Sequence, residues 1–155
     1  MKILHISTGE IFEAIVENVE AEDLKKLKKA RFGFNWRLEK LSQIYKLRLV
    51  NDDEILGLMS LDHFESEKRI EIRLLEICKT QRGEQRMYEG IAGSLIAFAC
   101  KECVKFHGFW ACVSLIPKTR LRQHYIKKYG MLDDGGKHLY LVDRNLFKLI
   151  ADYNL

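Results

Sequence analysis

The chain reads as an α/β (α+β) protein built on a mixed central sheet, and three stretches point there. Residues 43–78 hold three strand-like runs separated by two short polar turns, which makes an antiparallel meander. A glycine-containing basic loop, Gln81 to Gly93, then leads into a long apolar segment that reads as a buried helix. The β-branched and aromatic run Phe109 to Ile116 follows it, and a helix of that length joins parallel strands. Last, Asp133-Asp134-Gly135-Gly136 stands between two short apolar runs as a hairpin turn.

Taken in order, Met1 to Ile6 is a short first strand. Ile11, Phe12, Ile15, Val16 and Val19 follow at a spacing that suits a helix. Glu20 to Arg31 is charged and rich in helix formers, with Leu24 and Leu27 as apolar anchors, and Gly33 interrupts it. Phe34-Asn35-Trp36 falls in a loop or a second short helix. Gln43 to Val50 alternates as a strand, Asn51-Asp52-Asp53 turns, and Ile55 to Phe64 is its partner. Glu65 to Lys68 turns again into the strand Arg69 to Cys78. After the long helix and the run Phe109 to Ile116, Pro117 ends the strand. Thr119 to Tyr129 forms a helix that closes on Gly130, and Asp143 can cap a final helix, Leu146 to Tyr153. No repeat, linker or low-complexity segment divides the chain, so one domain over residues 1–155 is expected.

Hydrophobic residues make up 47% and charged residues 31% of the chain, the balance of an ordinary soluble globular protein. A net charge of +4 permits an anionic ligand and does not call for nucleic acid. The apolar run Ile91 to Cys100 is cut off by Lys101 and Glu102 before reaching membrane-spanning length. The first residues lack the apolar core and small-residue site of a signal peptide, so a cytoplasmic location and reduced Cys78, Cys100, Cys103 and Cys112 are expected. Cys100-Lys101-Glu102-Cys103 is a lone C-x-x-C within a helical pattern and reads as buried thiols; no metal site is expected.

A strand, a loop with small residues and a helix start, in that order, form an anion site. The loop offers backbone N–H groups, and the first helical turn adds unpaired N–H groups and the positive end of its dipole. Lys79, Arg82, Arg86 and Lys101 lie on or near that end. The loop lacks the P-loop lysine pattern, and Gly90-Ile91-Ala92-Gly93 lacks the dinucleotide spacing. The plainer alternative is a glycine-rich turn with solvated charges.

These residues resemble the pyrophosphate loop of the GCN5-related N-acetyltransferase superfamily, Gln/Arg-x-x-Gly-x-Gly/Ala. Gly90 and Ala92 fill the small positions, Leu95 and Ile96 are the buried residues that follow, and Met87 stands where Gln or Arg is usual. The element order over nearly the whole chain is similar to that family as well. The resemblance implies an acetyl-CoA-dependent transfer of an acetyl group to a primary amine, of a small molecule or a peptide. It implies that the backbone of Leu75, Glu76 and Ile77 meets the pantetheine arm. Arg82, Gly83, Glu84, Gln85, Arg86, Gly90, Ala92 and Gly93 would surround the pyrophosphate.

The resemblance also sets Glu71 at the base position, with Glu76 as second choice; a solvated pair of Glu71 with Arg73 is the bland alternative. The family's tyrosine acid would fall on Ile126, so Tyr125, one residue away, is the candidate acid, unless it and Tyr129 are core aromatics. Phe34 and Trp36, with Asp133 and Asp134 opposite, would receive a cationic amine, so Trp36→Ala would raise the acceptor KM. The basic residues Lys118, Arg120, Arg122, His124, Lys127 and Lys128 make a wet surface, or bind a 3′-phosphate or an RNA acceptor. Alternative readings keep the fold as a non-catalytic acyl-CoA-binding module or a tRNA-modifying acetyltransferase toxin, and a homodimer is compatible with either.

Overall fold

The computed structural model describes residues 1–153. The chain packs as two compact units, one of Met1–Ser60 with Leu74–Leu95, the other of Leu61–Arg73 with the residues from Ile96 onward. In the first unit, strands β1 (Lys2–His5), β2 (Ile11–Asn18), β3 (Ile44–Leu49) and the start of β4 (Gly57–Phe64) pair antiparallel in that order. A two-residue strand further along, Tyr88–Glu89, lies on the outer side of β1. In the second unit, the first half of β5 (Arg69–Ile77) pairs with a later strand, Cys112–Leu115, in parallel. Numbering in chain order makes Tyr88–Glu89 β6 and Cys112–Leu115 β7. β7 pairs antiparallel with β9 (Leu139–Val142), and β9 with β8 (Leu132–Asp133). The mixed sheet, its single parallel pairing among those named, and the long helix α1 (Ile91–His107) agree with the architecture expected from sequence.

Two early expectations are overturned. Ile11–Asn18 is a strand, because Ala14 and Val16 turn inward while Glu13, Ile15 and Glu17 face out, an alternation that flanking β1 and β3 reward. The helix formers of 20–31 yield only a short 3₁₀ stretch, Ala21–Lys26. There the Asp23 carboxylate accepts from the Glu20 amide at 2.9 Å and from Lys46 Nζ at 2.7 Å, so the segment is tied to β3 from its first turn. Arg37 Nη2 also donates to the Leu24 carbonyl, which a continued helix would use itself. This unit is packed around Phe32, Trp36, Ile44, Ile55, Leu58 and Cys78.

A third difference is at 109–116. Gly108, at φ +57°, turns the chain out of α1 into a 3₁₀ stretch, Gly108–Trp110. Phe109 and Trp110 therefore stand 84% and 74% exposed, rather than in a buried strand. The strand begins only at Cys112, which is paired with Arg69. Elsewhere the second unit follows the sequence closely. Helix α2 (Arg122–Tyr129) ends on Gly130 at φ +71°, and α3 (Asp143–Asp152) starts three residues before Leu146. All four cysteines are free, with Cys78, Cys100 and Cys103 buried and Cys112 half-buried. Among the described residues, no helix is long and apolar enough to cross a membrane.

Candidate active site

The loop into α1 is braced from within. Buried Gln81 turns its Oε1 to the amides of Met87 and Tyr88, at 3.1 and 3.2 Å. The Met87 carbonyl accepts the Ile6 amide, and β6 pairs with β1. Arg86 donates to the Gly83 carbonyl at 2.9 Å. Gly83 and Gly90 hold φ of +72° and +101°, conformations that glycine adopts without strain. The Ser94 amide then closes on the Gly90 carbonyl and opens the 17-residue helix. The amides of Ile91, Ala92 and Gly93 are left without an acceptor one turn back. Small side chains at 90, 92 and 93 let an anion approach those amides, so the residues present fit a diphosphate. Glu84 and Gln85 are exposed in the 3₁₀ turn Gly83–Gln85.

Glu76, second choice as a base, has its side chain held by four donors. Its side chain is buried, and its carboxylate accepts from Trp36 Nε1 at 2.8 Å, the Gly33 and Phe34 amides at 2.5 and 3.2 Å, and Arg82 Nη2 at 2.8 Å. Burial pushes the Glu76 carboxyl up, but those four donors outweigh it and hold it below the usual range. A carboxylate so occupied is a clamp for the 33–36 loop, with its lone pairs engaged by donors. Trp36 is corrected: the indole is 2% exposed and forms part of the core, so it offers no face to an acceptor. Phe34 is the exposed member of the pair, edge-on to Trp36. Arg82 also donates Nε to the Ile77 carbonyl at 2.8 Å, so its guanidinium serves the clamp and the end of β5. Leu75 and Ile77 are half-buried on that strand.

Glu71, in the second unit, sits within a polar group drawn from β5, β7 and the residue just before β9. His138 Nε2 lies 2.6 Å from its Oε1, Arg69 Nη1 3.3 Å and Ser114 Oγ 3.4 Å. Arg73, the partner in the bland alternative, lies 3.9 Å from Asp62. His138, Arg69 and Ser114 are neighbours of Glu71 that sequence reading missed. The one available signal was strand alternation, which puts Arg69 on the face of Glu71 as surely as Arg73.

Tyr125 is half-buried on α2, its ring beside His124 and Tyr129, and burial raises its hydroxyl. Asp133 and Asp134 make the hairpin: their carboxylates accept the Gly135 and Gly136 amides, and Asp133 also takes Arg122 in a two-pronged pair. They are turn residues, and Arg122 is drawn out of the basic face of α2. Among the described residues, no group of three or more His, Cys, Asp or Glu side chains is placed to hold a metal ion.

No family model matches this chain, and no curated protein matches it in sequence. Solved structures match it in fold. A spermidine N-acetyltransferase, a SpeG chimera from Vibrio cholerae and hSSAT, is 15% identical over 89% of this chain and 99% of its own, with a TM-score of 0.60. A Bacillus subtilis acetyltransferase in complex with CoA is 13% identical over 84% and 98%, at 0.54. A Listeria monocytogenes acetyltransferase of the GNAT family is 14% identical over 90% and 97%, at 0.59.

Proposed function

We propose that this chain, whose fold is that of the GCN5-related N-acetyltransferases, is an acetyl-CoA-dependent enzyme. It would transfer an acetyl group directly to the primary amine of a small molecule or peptide. The observation that carries the reading is the braced loop running into α1, with Gly90, Ala92 and Gly93 at a helix start whose first three amides have no acceptor one turn back. Those amides and the dipole of a long helix hold the diphosphate. Gly83, Glu84, Gln85 and Arg86 form the rest of that loop, with Arg82 at its edge, and the backbone of Leu75 to Ile77 lines the pantetheine arm. Bound acetyl-CoA supplies an acyl group activated as a thioester. The amine must become neutral before it attacks, and the polar group around Glu71 is where its proton goes. Tyr125, whose hydroxyl burial keeps protonated, is the candidate donor to the departing sulfur. Phe34, 38% exposed, is the candidate aromatic for a cationic acceptor. Four free thiols fit a reducing, cytoplasmic setting.

Isothermal titration with acetyl-CoA tests the reading, and no binding at millimolar ligand would remove it. Gly90 is a poor probe, because any side chain at φ +101° brings backbone strain of its own. Ala92→Glu separates the effects. A carboxylate in the first turn favours the helix, yet it repels a diphosphate at the same place. The variant should keep or raise its melting temperature while acetyl-CoA affinity falls by about tenfold or more, on the order of 1.4 kcal/mol. Unchanged affinity in the folded variant would move the cofactor away from this helix start.

A further inference from the structure

We propose that His138 is the group that accepts the amine's proton, and that Glu71 is its positioning partner; this rests on the acyl-transfer reading above.

Strand pairing lines the group up. Glu71 is the register partner of Ser114 across β5 and β7, and Ser114 is the partner of Tyr140 across β7 and β9. The three side chains thus form a row on one face of the second unit. Arg69, two residues before Glu71, projects to the same face, and His138, the residue just before β9, meets Glu71 there. The His138 ring stacks on Tyr140, with centroids 5.9 Å apart and planes 27° apart, which fixes its plane.

Three donors converge on Glu71 Oε1: His138 Nε2, Arg69 Nη1 and the Ser114 hydroxyl. Roughly two lone pairs serve them, so an incoming ammonium finds no vacancy on that oxygen. Arg69 cannot follow a moving carboxylate. Its guanidinium is anchored by Glu67, donates to Ser114 Oγ at 2.7 Å and lies 4.3 Å over the Phe64 ring. An ionised carboxylate only accepts, so the proton on neutral His138 sits on Nε2, an assignment made from the network. The ring's lone pair is therefore on Nδ1, to which no donor is bonded among the described residues. His138 is also the more open of the two, with its side chain 32% exposed against 19% for Glu71.

In the step this implies, the ammonium N–H proton moves to His138 Nδ1. The neutral amine nitrogen bonds to the acyl carbon as the C–S bond breaks, its electron pair leaving on sulfur; the sulfur takes a proton from the Tyr125 hydroxyl, and the second proton that nitrogen sheds in becoming the amide makes good the one Tyr125 gives. The imidazolium is held opposite Glu71, as an orienting carboxylate holds a histidine base.

Two measurements test this, the first without cofactor. In protein labelled with ¹⁵N-histidine, neutral His138 should show the Nε2–H tautomer, and Glu71→Ala should turn that signal into a tautomer mixture. An Nδ1–H tautomer in the wild type would overturn the assignment. In kinetics, His138→Ala should lower kcat by about 100-fold or more while acetyl-CoA affinity holds, and added imidazole should restore part of the loss. An active wild type with His138→Ala within about threefold of it would overturn the assignment alone. A wild type that acetylates no amine, with the Nε2–H tautomer present, would overturn the acyl-transfer reading and this role with it.

Discussion

Trp36→Ala should destabilise the protein by about 4 kcal/mol, the range for removing a fully buried large aromatic. The indole is 2% exposed and is packed with Phe32, Ile44, Ile55 and Leu58, so its loss leaves a cavity in that cluster. The same change removes the Nε1 donor at 2.8 Å from Glu76, leaving a buried carboxylate short of one partner. Trp36→Phe keeps most of the volume and loses the hydrogen bond, so it should cost about 1–2 kcal/mol. Urea denaturation measures both. A loss below about 1 kcal/mol for Trp36→Ala would mean that the indole is not held as described.

Glu76→Gln should cost about 3 kcal/mol or more, because the amide that replaces one oxygen presents N–H groups to donors that need an acceptor. The pH dependence distinguishes this from a loss of shape. Burial raises the Glu76 carboxyl, but the Trp36, Gly33, Phe34 and Arg82 donors bring it below 4.5 in the folded protein. The unfolded chain then binds the proton more readily than the folded one. The stabilisation is fully present above 4.5 and is lost as pH falls through the depressed folded value. Wild-type stability should thus drop more steeply than that of Glu76→Gln below about pH 4.5, and the two acid-denaturation curves should approach each other. Parallel curves would assign the acid sensitivity to other carboxylates. Since Trp36 and Glu76 share a bond, their combined cost should fall short of the sum of the single changes.

Elements declared by neighbouring residues were legible. The runs 44–49, 57–64 and 69–77 are set off by short polar turns, and the hairpin carries its own Asp-Gly signal. The start of α1 was legible for the same reason, since small residues and an apolar run announce it. Ile11–Asn18 was not, because its apolar residues satisfy a helical and a strand period at once, and the pairing with β1 and β3 decides. The clamp on Glu76 depends on two backbone amides some forty residues upstream, and amides leave no mark in a sequence. His138 stands 67 residues from Glu71. Only the pairing of β5, β7 and β9, with His138 just before β9, brings them together, whereas a local rule offers Arg69 and Arg73 as equal partners.

The chain's two tryptophans occupy opposite surroundings, and one lies in each compact unit. Trp36, encased in apolar side chains, should emit toward the blue and resist iodide. Trp110 stands in solvent beneath the Lys68 ammonium, 5.1 Å from its ring, so it should emit toward the red, and the nearby positive charge should draw iodide in. Trp110→Phe would leave a spectrum that reports on the first unit alone. The iodide-quenched fraction of the wild type would report on the second. Denaturant titrations read at both signals would then show whether the two units melt in one transition or in sequence.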